Sequence, residues 1–528
     1  MSDPGACCPI AAGTARRWGI FCIIDIPLKR NTLPPPAVRP ILGSEQSEED
    51  RFMFGIERDP LASFSTVFPK QLPNLVTRVL HLHRQLQTFE RFPVARQNQL
   101  LKGQLDNLLL HAKRYSPFWG ERLVNRKWSG KSLEETLKDI EPLTRKNLQS
   151  DFERLSAKFP KREALGVGQG SSSGSTGTPV RFERCTRLYM PLYMAVGYAC
   201  SRWHSIEQQK PLGILGTNKK DKDSAPLGIP YRWLGPVATG FERSSKDRDV
   251  SELYDYCAKK NPTYLQGGPT LLSGLARYAI ENGRNEVRLE KALTLGSAVT
   301  DETREIVLKG LGAKIVDRYS CEETGYIALQ CPNHNHFHVI SPATLVEIVD
   351  DDGEPCPPGK PGRVLLTNLQ SYAMPLLRYE IGDMAEWGEP CDCGITLPVI
   401  SKIWGRTRHL ITTPDGRKTY LRLYARDLQE IVGLIEYRFV LHQNAIVVAH
   451  LRASEPSAGI AAAVTEKVQR ALGYPYPVRV QFVEKIDWGS WKQDPFAVSD
   501  APAPSEEAIA SAGLRSGTKV ALQDAEPR

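Results

Sequence analysis

Between Gly170 and Thr178 the chain reads Gly-Ser-Ser-Ser-Gly-Ser-Thr-Gly-Thr, three glycines, four serines and two threonines in succession. Glycine lets a backbone turn sharply and approach a ligand closely, and the hydroxyls donate to anionic oxygens. This composition suits the holding of a phosphate; a flexible linker is the plain alternative. A Walker A loop would need Gly-Lys-Ser/Thr opening directly into a helix. No lysine stands in this loop, and Val180-Arg181-Phe182-Glu183-Arg184 alternates apolar and charged residues as a strand does. A strand–loop–strand phosphate site is the reading that fits.

A second set of residues could bind a metal. Cys331 lies in "LQCPNHNHFHVI" and the pair Cys391 and Cys393 in "EPCDCGI", with His334, His336 or His338 available as a fourth ligand. Thiolates with an imidazole at tetrahedral geometry suit a structural Zn²⁺. Cys-x-Cys is a less common spacing than Cys-x-x-Cys, and a long stretch separates the two halves. Free buried cysteines beside a solvated histidine cluster are the alternative. Cys7 and Cys8 have no such partners.

These groups need a body to position them, and 528 residues are enough for two or three domains. With 41% hydrophobic and 24% charged residues the composition is that of an ordinary globular protein. The net charge of +8, from 68 basic and 60 acidic residues, is mild over this length, and no dense Lys/Arg block accompanies it. Nucleic acid is therefore not an expected partner. Eleven irregularly spaced cysteines do not make a disulfide framework, which points to a reducing, cytoplasmic compartment. The run "WGIFCIIDIPL" is broken by Asp25 and too short to span a bilayer, so no membrane association is expected.

Residues 1–60 show no sustained period and read as an irregular extension; 500–528, rich in Ala, Pro and Ser, read as a disordered tail. Between them "QNQLLKGQLDNLLLHAKRY" places Leu100, Leu101, Leu105, Leu108 and Leu109 on one helical face. "LYDYCAKK" and "LLSGLARYAIENG" read as further helices, the second ending at Gly283. "ALTLGSAV" and "AKIVDRYS" read as short buried strands, and "ATLVEIVDDDGEPCPPGKPGRVLLT" as two strands joined by a turn. After "GRTRHLITTPDGR" a smaller unit begins, with strands at "EYRFVLH", "AIVVAHLR" and "VRVQFVE" and a helix at "AAVTEKVQRAL". The alternation predicts an α/β body with added hairpins.

The string "SSGSTGTP", Ser172 to Pro179, resembles the phosphate loop of the adenylate-forming superfamily of acyl-CoA ligases and adenylation domains. Further matches follow in order. "DRYSCEETGY" resembles the tyrosine–small–x–Thr/Ser–Glu motif, "LLRYEIGDMAEW" the Arg-Tyr-x-x-Gly-Asp motif, and "GRTRHLI" from Gly405 the hinge motif. "LLLHAKRYSPFW", "IEPLTRKNL" and "CDCGITLPVI" resemble the phenylacetate–CoA ligase-like branch. The resemblance covers about Leu100 to Ser499. It implies a large nucleotide- and acid-binding domain of mixed sheets and helices over 61–404, and a small, mobile α+β C-terminal domain over 405–499.

The implied reaction uses ATP, Mg²⁺ and coenzyme A to convert a carboxylic acid, of an aryl or arylacetic kind, to a thioester by way of an acyl-adenylate. Residue by residue, the resemblance implies that Ser173, Gly174, Ser175, Thr176, Gly177 and Thr178 cradle the β- and γ-phosphates. Gly296 and Ser297 would border the adenine and Tyr319 would stack on it. Asp383 would accept from both ribose hydroxyls, with Arg406 reaching the same ribose or the phosphate. Glu323 would hold Mg²⁺, its neighbour Glu322 leaving the register open. In "DWGSWKQDPFAVSD", Lys492 matches the small domain's catalytic lysine, although Trp491 stands where that pattern has glycine. Some members of the branch carry a cysteine/histidine site, in which His338 would join Cys331, Cys391 and Cys393 on Zn²⁺.

Two departures stand out: Val180 where many relatives have lysine, and His409 at the hinge position usually held by Asp or Lys. They keep two other readings open. One is adenylation with transfer to an amine, a hydroxyl or a carrier-protein thiol; the other is a non-catalytic binding protein of adenylation fold. The acid pocket is expected from segments around Trp203 to Ile214, Trp233 to Phe241 and Tyr264 to Gly268, where Trp203, Trp233 and Tyr264 could equally be core. A homodimer is the default expectation.

Overall fold

The computed structural model describes residues 75–505 apart from 161, 173–179, 208, 217–220, 227–238, 247, 295, 297–298, 407–409, 417, 421–427, 429–430, 485, 487–495 and 500. The expected N-terminal extension and most of the expected tail lie outside those residues.

Helices α1 (Leu75–Phe89) and α2 (Val94–Tyr115) open the described chain. All five leucines of the apolar face read in α2 are buried, as the periodicity predicts. Full burial of a leucine contributes roughly 1.5–3 kcal/mol, and Leu105, Leu108 and Leu109 are each completely covered. Ser116 caps the next short helix, Pro117–Leu123, accepting from the Trp119 amide, and the Trp119 indole donates to the Pro375 carbonyl at 2.9 Å. Strands β1 (Val167–Ser171) and β2 (Arg181–Cys185) then pair antiparallel, and β2 runs straight into helix α3 (Thr186–Trp203).

A six-stranded sheet follows, built from β3 (Leu212–Gly216), β4 (Lys222–Pro226), β5 (Thr239–Ser244), β6 (Tyr264–Gln266), β7 (Lys291–Leu293) and β8 (Lys314–Val316). Its order is 4-5-3-6-7-8, parallel except for the β4–β5 pair at the edge. Helices α4 (Val250–Lys260), α5 (Pro269–Glu281) and α6 (Asp301–Leu311) share a core with it. Gly310 of α6 is what lets the last two approach: a Cβ there would sit 2.3 Å from the Ala276 carbonyl.

Immediately after β8 the chain enters a seven-stranded antiparallel sheet. Its strands are β9 (Arg318–Cys321), β10 (Gly325–Gln330), β11 (Phe337–Val339), β12 (Thr344–Val349), β13 (Gly362–Asn368), β14 (Tyr379–Trp387) and β15 (Val399–Arg406). The order is 12-13-14-15-11-10-9. "AKIVDRYS" is thus two strands in two sheets, not one. The buried Asp317 makes the junction: its carboxylate accepts from the Thr294 hydroxyl (2.7 Å) and the Arg318 amide (2.9 Å), while its own amide donates to the Gln330 side chain. One large core joins this sheet to α1, α2 and α3.

A short hairpin, β16 (Leu410–Thr412) and β17 (Lys418–Tyr420), precedes a four-stranded sheet of β18 (Leu434–His442), β19 (Val447–Ala453), β20 (Val478–Phe482) and β21 (Phe496–Ser499). Together with helix α7 (Ala458–Leu472) it has its own core around Phe439, Val464 and Phe496. The sequence reading identified β18, β19, α7 and β20; β21, which adds parallel to β18, escaped it. No helix among the described residues is long and apolar enough to cross a membrane.

Candidate functional site

The Ser/Gly loop leaves the β1–β2 hairpin through a closed neck. The Ser172 amide donates to the Val180 carbonyl (2.8 Å), and the Val180 amide donates back to the Ser172 hydroxyl (3.2 Å). Strands β1 and β2 flank the segment, as the alternation of Val180–Arg184 predicts for its second strand. Ser173, Gly174, Ser175, Thr176, Gly177 and Thr178 lie outside the described residues. Val180 itself is fully buried, so the position where the resemblance leads one to expect lysine is part of the core.

Glu323 sits on the tight connection between β9 and β10, where Cys321 and Gly325 face each other across the ladder. Gly325 has φ +84°, and a Cβ there would come within 2.7 Å of the Tyr189 hydroxyl. The turn separates the two adjacent glutamates. Glu322 points its side chain to solvent, while its carbonyl accepts from the Arg184 guanidinium. Glu323 is 9% exposed, and its Oε1 accepts from the Tyr379 hydroxyl at 3.3 Å. Burial, with the Glu323 carboxylate beside it, holds the Tyr379 phenol far above its ordinary pKa, so that phenol is a donor at every working pH.

Asp383, in the middle of β14, is also nearly buried, and its Oδ2 accepts from the Tyr319 hydroxyl at 2.8 Å. Tyr319 thus meets Asp383 through its polar tip, a contact that the adenine-stacking expectation did not foresee. Arg406 stands directly across the β14–β15 ladder from Asp383, so backbone pairing brings these two predicted residues together. Gly296 is exposed, with φ +86°; Ser297, His409 and Lys492 lie outside the described residues.

Sequence reasoning passed over Tyr379 and Arg378, although both stand in the quoted "LLRYEIGD". Arg378 holds φ +46°, an uncommon conformation for a side chain of this size. It is fixed by the Glu347 carboxylate (Nε at 3.1 Å from both oxygens) and by the Ile140 carbonyl (2.8 Å). Its backbone also bonds Thr367 and Leu143. This clamp sets the direction in which Tyr379 leaves β14, and so the Glu323 contact.

Of the aromatics weighed for the acid pocket, Trp203 donates to Glu90 (3.1 Å) and Tyr264 to Glu290 (3.2 Å); both are buried core side chains. Trp233 lies outside the described residues. A small cavity does adjoin the glutamate turn, between Tyr189 and Tyr193 of α3 and Thr324, Tyr326 and Asn368. Tyr193 and Tyr326 stack there with ring centroids 4.5 Å apart.

The cysteines also converge. Cys331 follows β10, His338 lies in β11, and Cys391 and Cys393 belong to the β14–β15 connection. Their ligand atoms all lie within 4.8 Å of one another. Cys331 Sγ is 3.8 Å from Cys391 Sγ, and Cys393 Sγ is 3.3 Å from His338 Nε2. Backbone amides of Asn333 and Cys393 donate to the Cys331 and Cys391 sulfurs. His338 Nδ1 faces the Leu397 carbonyl at 3.3 Å, which leaves Nε2 with its lone pair toward the sulfurs, and the Trp203 ring packs edge-on against the imidazole. Of the three histidines offered by the sequence, His338 is the one that joins all three cysteines.

Residues 234–371 match the family model described as AMP-binding enzyme. A stretch of 185 residues is 31% identical to a phenylacetate-coenzyme A ligase of Thermus thermophilus. That stretch is 34% of this chain and spans 41% of the relative's length. Among solved structures, a 2-hydroxyisobutyryl-CoA ligase in its postadenylation state superposes with a TM-score of 0.62 at 18% identity, over 81% of this chain and 94% of that one. An open conformation of a 2-hydroxyisobutyryl-CoA ligase superposes at 0.52, again at 18% identity, over 78% and 93%. The chain therefore has the mixed α/β fold of adenylate-forming ligases, and the resemblance read from its ordered motifs is borne out.

Proposed function

We propose that the chain is an AMP-forming carboxylic acid–CoA ligase. A carboxylate attacks the α-phosphorus of ATP and releases pyrophosphate; the coenzyme A thiol then displaces AMP from the acyl-adenylate. The observation that carries this reading is the reciprocal link of two nearly buried carboxylates: Glu323 on the β9–β10 turn accepts from Tyr379 of β14, and Asp383 of β14 accepts from Tyr319 of β9, with Arg406 opposite Asp383 in the backbone ladder. The first step brings an anion to a polyanion, so the site must fix positive charge and donors where charge accumulates. Residues 173–178 supply amides and hydroxyls to the β- and γ-phosphates. Asp383, a two-oxygen acceptor, accepts the ribose hydroxyls. Glu323 has the hard oxygen donors that Mg²⁺ takes, and the ion when bound neutralises phosphate charge. Tyr379 holds that carboxylate in one orientation.

An aryl or arylacetic acid is the substrate class proposed, supported by the named relative, a phenylacetate-coenzyme A ligase. Carboxylate-dependent exchange of pyrophosphate into ATP, run over a panel of acids, tests the whole reading. Exchange with no acid would overturn it, and AMP release with and without coenzyme A identifies the acceptor. Tyr379→Phe is expected to lower exchange roughly tenfold and to raise the Mg²⁺ concentration required, since a hydrogen bond to a charged group contributes ~1.5–3 kcal/mol. A variant with unchanged Mg²⁺ dependence would remove Tyr379 from this role.

The same proposal assigns a structural Zn²⁺ to Cys331, His338, Cys391 and Cys393. Sulfurs bound ~2.3 Å from one zinc stand about 3.8 Å apart in a tetrahedron, the separation found for Cys331 and Cys391. Burial raises the Cys393 thiol above its ordinary value, and a bound Zn²⁺ would supply the charge that holds the sulfurs as thiolates. Metal analysis should find about one tightly held equivalent of zinc. Cys393→Ser should weaken it by more than the ~10–100-fold that loss of an outer-shell partner costs. Because structural zinc contributes folding free energy, that variant should lose thermal stability rather than activity per folded molecule. Zinc-free protein of undiminished stability would sink this assignment.

A further inference from the structure

The bend that leads into β11 carries two histidines that the inner cluster does not use. His334 and His336 stack with centroids 5.0 Å apart, and His336 meets His338 edge-on at 5.3 Å. The three rings form a ladder from solvent, where the His334 side chain is 43% exposed, to the fully buried His338. At its outer end His334 Nε2 lies 2.6 Å from Asp392 Oδ1, and that oxygen is 3.8 Å from Cys391 Sγ. The three donor atoms all lie within 4.8 Å of one another. One rung inward, the buried His336 Nε2 has no hydrogen-bond partner among the described residues.

We propose that His334, Asp392 and Cys391 form a second, outer cation site that shares the Cys391 sulfur with the inner cluster. A 2.6 Å imidazole–carboxylate contact by itself describes a surface hydrogen bond equally well. What goes beyond it is the third, soft donor, the Cys391 sulfur, which lies within 4.8 Å of both. One nitrogen, one oxygen and one sulfur are a donor set for Zn²⁺, Co²⁺ or Ni²⁺, not for Mg²⁺ or Ca²⁺. A thiolate has lone pairs for two cations, so occupation of the outer site need not empty the inner one. With three protein donors and the remainder from solvent, this site is the weaker of the two.

The proposal depends on the inner zinc reading only through the shared sulfur, and one titration separates them. Metal-stripped full-length protein is titrated with Co²⁺ by calorimetry and by thiolate-to-cobalt absorption. Wild type should take two equivalents, the second the weaker. His334→Ala should take one, with the inner absorption band unchanged, and Cys393→Ser should keep the outer equivalent. If wild type takes a single equivalent that Cys393→Ser keeps and His334→Ala loses, the outer site stands and the inner reading falls. A single equivalent that His334→Ala retains overturns the outer site, as does a second equivalent undiminished in that variant.

Discussion

Replacing Glu323 by glutamine is expected to lower acid-dependent pyrophosphate exchange by roughly 10²–10³, the ~3–4 kcal/mol that one focused electrostatic contact supplies at a charged transition state. Glutamine keeps the volume of the buried side chain, so the turn between β9 and β10 persists and the loss reads as chemistry. Its amide is a poor ligand for Mg²⁺ and carries no charge to fix the ion. The geometry also decides between neighbours. Glu323 is tucked against Tyr379, whereas Glu322 faces solvent and engages Arg184 through its carbonyl alone. Glu322→Gln leaves that carbonyl intact and is expected to cost less than about threefold, as surface substitutions do. Near wild-type exchange in folded Glu323→Gln would dismiss the assignment. A deeper loss in Glu322→Gln would move it by one residue.

That register was not legible in the chain, because two consecutive glutamates on a turn look alike until the pairing of Cys321 with Gly325 decides which one turns inward. What could be read rested on periodicity. The leucines of α2 declare a buried face through their spacing, and the alternation after Val180 declares a strand. "AKIVDRYS" failed for the opposite reason. It has no sustained period, only Ile315 and Val316 adjoining as apolar residues, and the break at Asp317 arises from Thr294 and Gln330, which lie outside the segment. The clamp on Tyr379 is of the same kind: Arg378 owes its conformation to Glu347, Thr367 and Ile140, none of them a local signal. Among the proposed zinc ligands, chemistry named the cysteines and topology chose the histidine. Strand β11 pairs with both β10 and β15, so the residue on it that meets both cysteine-bearing segments is His338.

Val180 gives the last argument its direction. A lysine at that position would carry charge to the phosphates; here the position is fully buried and apolar. The positive charge that adenylation needs must then come from elsewhere, and the small domain proposed over 405–499 offers Lys492. The segment 487–495 lies outside the described residues, but both its flanks are anchored. Ile486 is buried before it, and Phe496 opens β21 against Phe439 in the core of the four-stranded sheet. Four residues before that anchor, Lys492 is tied to within about 14 Å of it by the reach of an extended chain. Whatever motion the small domain makes therefore carries the lysine with it. A charge that acts in one domain position and leaves in the other should matter to one half-reaction alone. Lys492→Ala is expected to lower acid-dependent pyrophosphate exchange by roughly 10² or more. Thioester formation from a supplied acyl-adenylate and coenzyme A should survive within about threefold. Equal loss in both halves would mean that the variant is misfolded or that the small domain does not move between them. Full activity in both would hand the charge to another residue, with Lys485, ahead of the same anchored segment, the next to be replaced.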